Sequence, residues 1–408
     1  MAEAWIIDGV RSPRGRGKPG KGGISHIHPQ QAMAQVLNAL ADRVGFETAD
    51  VDDVVVGCGS GSGDHAHDIG RMSVLDAGWS IEAPGVTLHR FCGSGQQAVT
   101  FAAMGILAGH QDLVVGGGVE FMSRYAPLHA NGFHANNEHL FDQHPMVPQG
   151  ISADLIATLE GFKRDDCDRY AVRSQERAAA AIEAGKFERS IVPVHNSDGS
   201  LALDRDEHPR PGTTLESLSK LQASFAELGA KKGSADKTLD ELCQQVYPQI
   251  GGVDHVHHAG NSSGVVDGAS AILLASPEYA KAHGLEPRAR VRMTATAGTE
   301  PVIMLTAPGP ASKKCLQKAG MEIGDIDLIE VNEAFASVVL KFMRDLDVDP
   351  DRVNVNGGAI ALGHPIGGTG PMLIQTVLDE LEARDLETGL VTMCTGGGMG
   401  TATIIERI

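Results

Sequence analysis

Three side chains that can attack a carbonyl or move a proton stand in glycine-rich segments: Cys92, His364 and Cys394. Cys92 lies in 91–95 (Phe-Cys-Gly-Ser-Gly), just before a predicted helix. The N-terminus of a helix offers unpaired N–H groups and a partial positive charge, which stabilise a thiolate. We therefore interpret Cys92 as a candidate nucleophile, with a buried structural cysteine as the alternative.

His364 and Cys394 are candidates for proton transfer. Pro365 and the neighbouring glycines constrain the backbone around the His364 imidazole, which could deprotonate a cysteine or stabilise an oxyanion. A histidine that caps a turn is the alternative. Cys394 ends a predicted buried strand beside 396–398 (Gly-Gly-Gly), whose N–H groups could form an oxyanion hole. A cysteine of the core is the alternative there.

Other polar segments admit both a functional and a structural interpretation. Asn332 and Glu333 follow a predicted strand, as a helix N-cap or as active-site groups. Segment 260–264 (Gly-Asn-Ser-Ser-Gly) could bind an amide or a phosphate, or could be an ordinary turn. The basic run 11–21 predicts a mobile, solvated loop, with contact to a ligand phosphate as the alternative.

The cysteines and histidines do not predict a disulfide framework or a metal site. The six cysteines are dispersed and form no CxxC pair, so we expect free thiols and a structural role for Cys58. Clustered histidines lack a ligand spacing typical of zinc, so we expect no metal; they are His26, His28, His65, His67, His255, His257 and His258.

An internal repeat organises the elements that must position these residues. Segments 45–56 and 320–331 align without gaps at an offset of 275, each predicting a helix end, an acidic turn and a buried strand. At the same offset the Cys92 segment aligns with the His364 segment. We expect two α/β halves about a pseudo-twofold axis, with their glycine turns together at one junction.

The repeat also predicts the domain boundaries. The first half covers 1–122 and is completed by about 259–287, and the second half covers 288–408. Between them, 123–258 predicts an inserted loop domain that caps the junction, or a peripheral element for oligomerisation.

Composition excludes several classes of protein. The 408 residues include 34 Lys and Arg against 52 Asp and Glu, a formal charge of −18, which disfavours binding to nucleic acid. No apolar run approaches the roughly 18 residues of a membrane span, and no signal-peptide pattern is present. We expect a cytoplasmic protein that does not enter the membrane. The 50 glycines indicate tight turns and close backbone approach.

Four blocks in order resemble the thiolase family along nearly the whole chain. They are Cys92-Gly-Ser-Gly-Gln-Gln-Ala98, Asn332-Glu-Ala-Phe335, Gly363-His364-Pro365 with 367–370, and Cys394-Thr-Gly-Gly-Gly398. The resemblance implies a thiolase fold, with two duplicated α/β halves in five layers (αβαβα) and an inserted loop domain. It also implies acyl transfer between 3-ketoacyl-CoA and coenzyme A, with no permanently bound cofactor.

The resemblance implies a role for each matching residue. Cys92 would be acylated after His364 activates its thiol, and Cys394 would protonate the departing acetyl-CoA carbanion. Asn332 would hold a water that forms one oxyanion hole with His364, and the N–H groups of Cys92 and Gly396 would form a second. A coenzyme A channel and a homodimer or homotetramer are also implied, with the channel residues Arg210, Ser217, Ser263, Ala334 and Phe335.

Three departures from the family pattern concern the substrate. His89 replaces a common Asn, 149–154 (Gln-Gly-Ile-Ser-Ala-Asp) departs from the usual Met-Gly-x-Thr-Ala-Glu, and a stretch at about 227–255 is additional. We therefore expect a bulky or unusual acyl group. The alternatives are a biosynthetic thiolase that forms acetoacetyl-CoA, which the same residues would serve, and a non-catalytic acyl-CoA-binding subunit. A non-catalytic subunit has no need of two cysteines and a histidine in place.

Overall fold

Twelve strands alternate with helices in the computed structural model, which describes residues 2–125, 133–135, 137–233 and 236–408. The strands are β1 (Trp5–Arg11), β2 (Gly15–Arg16), β3 (Asp53–Gly57), β4 (Val86–Leu88), β5 (Leu113–Phe121), β6 (Val194–His195), β7 (Leu201–Leu203), β8 (Val266–Ala275), β9 (Ala289–Gly298), β10 (Leu328–Val331), β11 (Thr388–Thr395) and β12 (Met399–Arg407).

The helices of the same described ranges connect these strands. They are α1 (Pro29–Val44), α2 (Ile69–Asp76), α3 (Ser94–Leu107), α4 (Glu138–Gln143), α5 (Gln149–Glu160), α6 (Arg164–Glu183), α7 (Leu215–Ser219), α8 (Ala226–Gly229), α9 (Leu239–Val246), α10 (Pro277–His283), α11 (Pro308–Ala319), α12 (Ala336–Leu346), α13 (Ala359–Leu362) and α14 (Thr369–Arg384). Among the described helices none combines the length and apolar character needed to cross a bilayer.

The repeated segments fold alike. Helix α1 ends at Gly45 (φ 77°) and α11 at Gly320 (φ 68°), in the left-handed conformation that glycine adopts without steric cost. In each half a short 3-10 turn follows, and then a buried strand, β3 or β10. The predicted helix end, acidic turn and strand are therefore confirmed at both positions.

The strands of the two halves are arranged in matching order. The first half runs β4-β3-β5-β8-β1 and the second β10-β11-β12-β9. In each half one strand is parallel to its outer neighbour and antiparallel to its inner neighbour. In the first half β5 lies parallel to β3 and antiparallel to β8, and in the second half β11 lies parallel to β10 and antiparallel to β12. The halves join where Trp5 and Ile6 of β1 pair with Arg290 and Ala289 of β9.

Successive side chains along a strand point to opposite faces of the sheet, so the sheet of each half has two faces. Val114 of β5 and Val391 of β11 face a central layer that contains α3 and α14. Val115 faces the opposite side, with α1 and α2, and Leu390 faces α11 and α12. The layers therefore run helix, sheet, helix, sheet, helix, which confirms the predicted five-layer α/β fold.

The two central helices meet at their N-termini. A side chain at Gly95 would overlap the backbone oxygen of Gly367, and one at Gly370 would overlap the backbone of Gln96. The glycine turns that align in the repeat thus lie against each other, as predicted.

The segment between the halves contacts both of them. Helix α5 packs on α12, and α6 packs on α12 and α13. Further on, Val192 N–H donates to Arg11 O and Arg11 N–H donates to Ser190 O, both at 2.8 Å, and Val194 lies in the core of the first half.

The prediction of a solvated basic loop is wrong for its first two arginines, while Arg16, Lys18 and Lys21 are exposed. Arg11 and Arg14 are 1% and 2% exposed. Arg11 forms a bidentate pair with Asp206 at 2.8 and 2.9 Å, and Arg14 N–H donates to the same carboxylate at 2.8 Å. Asp206 is distant in sequence and supplies the charge that permits this burial.

Candidate active site

A constrained turn places Cys92 at the start of α3. Phe91, the preceding residue, has φ 47°, a conformation that is strained for a side chain other than glycine. Ser94 Oγ accepts a hydrogen bond from Arg90 N–H at 2.9 Å and donates to Phe91 O at 2.6 Å, which closes the turn. Cys92 is buried directly before the helix, as predicted.

Three N–H donors act on the Cys92 thiol. Gln149 Nε2 of α5 lies 4.0 Å from Sγ, and the backbone N–H groups of Gly396 and of Cys92 itself lower the pKa of the thiol. Burial nevertheless raises the pKa of the thiol to about 11, and the donors offset this only in part. The position of Cys92 before a helix alone favours a thiolate. Desolvation has the larger effect on the pKa, so Cys92 is a neutral thiol.

His364 is neutral and has a defined tautomer. Burial, together with the charge of Arg14, lowers the pKa of its imidazole to about 3. Nδ1 lies 2.6 Å from Thr369 Oγ1, whose own proton goes to Pro365 O at 2.8 Å. Thr369 can therefore only accept from His364, so Nδ1 carries the proton and Nε2 carries the lone pair that can accept one.

Asn332 lies beside this lone pair. Its Nδ2 is 3.3 Å from His364 Nε2, and its Oδ1 has no hydrogen-bond partner among the described residues. Helix α12 begins at Ala336 with Phe335 as its N-cap residue, so the interpretation of Asn332 as a helix cap is wrong. The structure joins Asn332 to the predicted site instead.

Glu333 supports the segment that leads to His364. Its buried carboxylate accepts hydrogen bonds from Tyr170 Oη at 2.7 Å and from Ser174 Oγ at 2.6 Å on α6. It also accepts from Ile360 N–H at 3.0 Å, four residues before the histidine. Glu333 therefore has a positioning contact with both the intervening segment and α13.

Cys394 ends β11 close to Cys92. It is fully buried, and burial together with the Cys92 sulfur raises the pKa of its thiol. Beyond it, a side chain at Gly396 would lie 2.8 Å from Phe133 Cε1 and 3.1 Å from Phe91 Cγ. Glycine is thus required where this backbone approaches the Cys92 turn.

Glu120 was missed by the sequence analysis. This fully buried carboxylate on β5 accepts from Gly59 N–H at 2.7 Å and from Gly367 N–H at 2.9 Å, and Cys58 Sγ lies 3.7 Å from it. Burial raises its pKa. Glu120 connects the first half to the loop of His364. Its sequence signal was a carboxylate in an otherwise apolar strand, which is unusual for a buried position. Gln149 was named only as a departure from the family pattern.

The predicted coenzyme A residues fall into two groups. Ser263 N–H donates to Ala334 O at 2.9 Å, and Ser262 and Phe335 form an antiparallel bridge, so Ser263, Ala334 and Phe335 lie together. Arg210 and Ser217 lie instead on the exposed segment 210–219. The side chain of Leu218 in that segment packs on Gly260, three residues before Ser263.

The three histidines of the group 255–258 form hydrogen bonds with carboxylates. Asp154 of α5 bonds to Nδ1 of His255 and of His257, both at 2.7 Å, and Asp168 of α6 bonds to His258 at 2.8 Å. The hydrogen bond that His255 donates to Asp154 raises the pKa of the imidazole to about 9. No group of three or more possible metal ligands occurs in the described ranges. His255, His257 and His258 hold the irregular segment 254–261 against α5 and α6.

Comparisons with known proteins agree with this arrangement. A model of the thiolase N-terminal domain matches residues 4–236, and a model of the thiolase C-terminal domain matches 285–407. A steroid 3-ketoacyl-CoA thiolase of Mycobacterium tuberculosis is 41% identical, covering 100% of this chain and 95% of the relative. A beta-ketoadipyl-CoA thiolase of Pseudomonas aeruginosa is 39% identical, covering 100% and 99%.

A solved structure shows the same fold. The crystal structure of the Bacillus anthracis acetyl-CoA acetyltransferase superposes with a TM-score of 0.83 at 34% sequence identity, covering 100% of this chain and 99% of that one. The chain belongs to the thiolase family. It is an acyltransferase, and its activity is the thiolytic cleavage of a 3-ketoacyl-CoA.

Proposed function

We propose that Cys92 attacks the ketone carbon of a 3-ketoacyl-CoA and carries the acyl group. Cys92 Sγ adds to C3 as the thiol proton passes to His364 Nε2, which leaves a negative charge on the ketone oxygen. When the C3 carbonyl re-forms, the C2–C3 bond breaks. The electron pair of the broken bond remains on C2 of acetyl-CoA, where the Cys394 thiol protonates it. The products of this half-reaction are acetyl-CoA and an acyl-Cys92 thioester.

Coenzyme A then releases the acyl group. Its thiol gives a proton to the Cys394 thiolate and attacks the thioester carbon, and the departing Cys92 sulfur regains its proton from His364. The shortened acyl-CoA leaves, and all three groups return to their starting protonation states. The reverse sequence condenses two thioesters, and we propose cleavage as the working direction.

One observation carries this assignment: the backbone after Cys394 meets the Cys92 turn, since a side chain at Gly396 would lie 3.1 Å from Phe91 Cγ and one at Gly93 would lie 2.6 Å from Thr395 Cγ2. The Gly396 N–H also lowers the pKa of the Cys92 thiol. A thiol that is acylated here has an N–H donor beside the thioester oxygen, so Gly396 and the Cys92 N–H are suited to form an oxyanion hole. The second hole is assigned to His364 Nε2 and a water held by Asn332.

The pKa values indicate how the first proton moves. A thiol with a pKa of about 11 does not transfer its proton spontaneously to an imidazole with a pKa of about 3. We therefore expect the transfer to accompany attack on the ketone, when the developing oxyanion makes the imidazolium favourable.

Coenzyme A is assigned to the surface between the two groups of predicted binding residues. One wall of this surface would be formed by Ser263, Ala334 and Phe335. The opposite side of the bound coenzyme A would face Arg210 and Ser217 on the exposed segment. The contact of Gln149 with Cys92 supports a covering role for the proposed domain 123–258.

A second copy of the chain is the proposed partner. Among the described strands β4 pairs with β3 along one edge only, and beside it α3 exposes Phe101, Met104 and Leu107 to 46%, 47% and 40%. An unpaired edge and an exposed apolar face favour isologous pairing. We propose a homodimer through β4 and α3, with a homotetramer as its further assembly.

Thiolysis assays test the function directly. We expect the purified chain to consume 3-ketoacyl-CoA only when coenzyme A is present, and Cys92→Ser to lower kcat by at least about 100-fold. Cys315→Ser is the matched control, because Cys315 is a buried thiol on α11 that bonds to backbone oxygens. Failure of the wild type to cleave any 3-ketoacyl-CoA would refute the proposal.

A further inference from the structure

An apolar cavity lies beside the turn that carries Cys92. It has a volume of about 420 Å³, and its described lining is Phe91, Phe133, Leu140, His144, Met146, Thr299, Pro301 and Gly397. Phe91 precedes Cys92 in sequence, and Gly397 follows Gly396, where a side chain would lie 3.1 Å from Phe91 Cγ. An acyl group on the Cys92 sulfur therefore has the cavity as a neighbouring space.

The walls of the cavity are held in place. The rings of Phe91 and Phe133 meet edge to face with centroids 5.5 Å apart. Thr299 N–H donates to Gly398 O at 2.6 Å, which ties the opposite wall to the glycine turn after β11. His134 Nε2 lies within hydrogen-bond distance of His144 O and Met146 N–H, at 2.9 and 3.2 Å.

The size of the cavity exceeds the needs of a short acyl group. At about 30 Å³ for each water-sized group, the volume has room for on the order of ten non-hydrogen atoms. An acetyl group has three. The space suits a six-membered ring with its substituents, or a chain of comparable bulk.

Charge around the cavity disfavours an anion. The described lining contains neither lysine nor arginine. Glu138 and Asp142, on the same helix α4 as the lining residue Leu140, are exposed. A carboxylate buried against this lining would lose its hydration and meet no cation of the lining.

We infer that this cavity is the acyl subsite and that it selects a neutral, apolar acyl group of ring size against an acyl group with a terminal carboxylate. The inference rests on the proposed function, since it takes Cys92 as the residue that carries the acyl group. Phe91, Met146 and Pro301 are then specificity-determining residues. Each additional methylene that enters the cavity raises kcat/KM by about fourfold until the space is filled.

A matched pair of substrates tests the charge preference. 3-Ketoadipyl-CoA and 3-keto-6-methylheptanoyl-CoA differ in having a carboxylate or an isopropyl group of the same shape. We expect kcat/KM to be at least tenfold higher for the neutral compound, and higher for a cyclohexyl-bearing 3-ketoacyl-CoA than for acetoacetyl-CoA. Equal or better cleavage of 3-ketoadipyl-CoA, or of acetoacetyl-CoA, would overturn the inference and leave the thiolase activity intact.

A charge introduced into the cavity tests its location. In Met146→Arg we expect the preference for the neutral compound to fall at least tenfold, because the guanidinium pairs with the carboxylate. Leu201→Arg, a matched change at a 53% exposed position of β7, should keep the wild-type ratio. If folded Met146→Arg keeps the wild-type ratio of kcat/KM values for the two substrates, the proposed location of the subsite is overturned. If Met146→Arg does not fold, the wild-type comparison of the two substrates decides whether the inference holds. No turnover of any 3-ketoacyl-CoA would refute the proposed function and the inference together.

Discussion

At the scale of single residues, burial determines the protonation states at the site. Cys92 and Cys394 are thiols and His364 is a neutral imidazole, since each charged form would lose its hydration. The hydrogen bond to Thr369 further defines which imidazole nitrogen can accept a proton. The resting site therefore holds no ion pair, and charge develops only with the substrate in place.

The low pKa of His364 predicts that the acid limb of the pH–activity profile lies at unusually low pH. Activity requires the neutral imidazole, which in the free enzyme is lost only as the pH falls through about 3. We expect kcat/KM at pH 5.5 to stay within about twofold of its value at pH 7.5. Steady-state rates in constant ionic strength buffers measure this, and an acid limb centred near pH 6.5 would contradict it.

Sequence reasoning found the residues that belong to repeated or family-like segments. Cys92, His364 and Asn332 were identified because glycines and strand ends surround them. It missed Glu120 and misjudged Arg11 and Arg14, whose burial depends on partners far away in the chain. Sequence patterns predict the local backbone geometry. They do not predict which distant residue pairs with a buried charge, because that depends on the three-dimensional fold.

At the scale of elements, the site depends on the contact between the N-termini of α3 and α14. The helices come from different halves, and each begins with a glycine against the backbone of the other. Cys92 precedes α3 and His364 precedes α14, so the separation of these helices sets the relative position of nucleophile and base.

Enlarging one of these glycines should therefore impair catalysis and stability together. In Gly370→Ala the new methyl group overlaps the backbone of Gln96, and we expect a lower thermal midpoint and a kcat reduced at least about tenfold. Gly324→Ala is the control, because a side chain there meets no atom within 4 Å. Equal behaviour of the two variants in thermal melts and rate assays would show that the helix contact is not critical.

Elements were predicted well where duplication fixed their order, and less well between the halves. The acidic turn and strand of each repeat fold as expected because glycine caps and β-branched runs are local signals. The intervening segment has no internal copy, and its α5 reaches Cys92 through Gln149 by tertiary packing alone.

At the scale of the whole molecule, two duplicated halves enclose one site between them. The first half contributes Cys92 and Glu120, and the second contributes Asn332, His364 and Cys394. Neither half contains a complete set of reactive groups, so the five-layer packing is itself a condition for activity. The cytoplasmic location remains a prediction.

The proposed dimer predicts the effect of a charge on its apolar face. Phe101→Glu places a carboxylate among Met104 and Leu107, and we expect dissociation to monomers because an unpaired charge would be buried at the interface. Light scattering after size-exclusion chromatography measures the mass. Leu201→Glu, at another exposed apolar position, should keep the wild-type mass, and an unchanged mass in Phe101→Glu would contradict this interface.

Trapping the acyl intermediate tests the central claim most directly. The protein is mixed with a 3-ketoacyl-CoA in the absence of free coenzyme A, quenched in acid and analysed by peptide mass spectrometry. The account predicts one acyl group on Cys92, with release of one equivalent of acetyl-CoA and no adduct in Cys92→Ser. An acyl group on Cys394, or acetyl-CoA release without an adduct on Cys92, would contradict it.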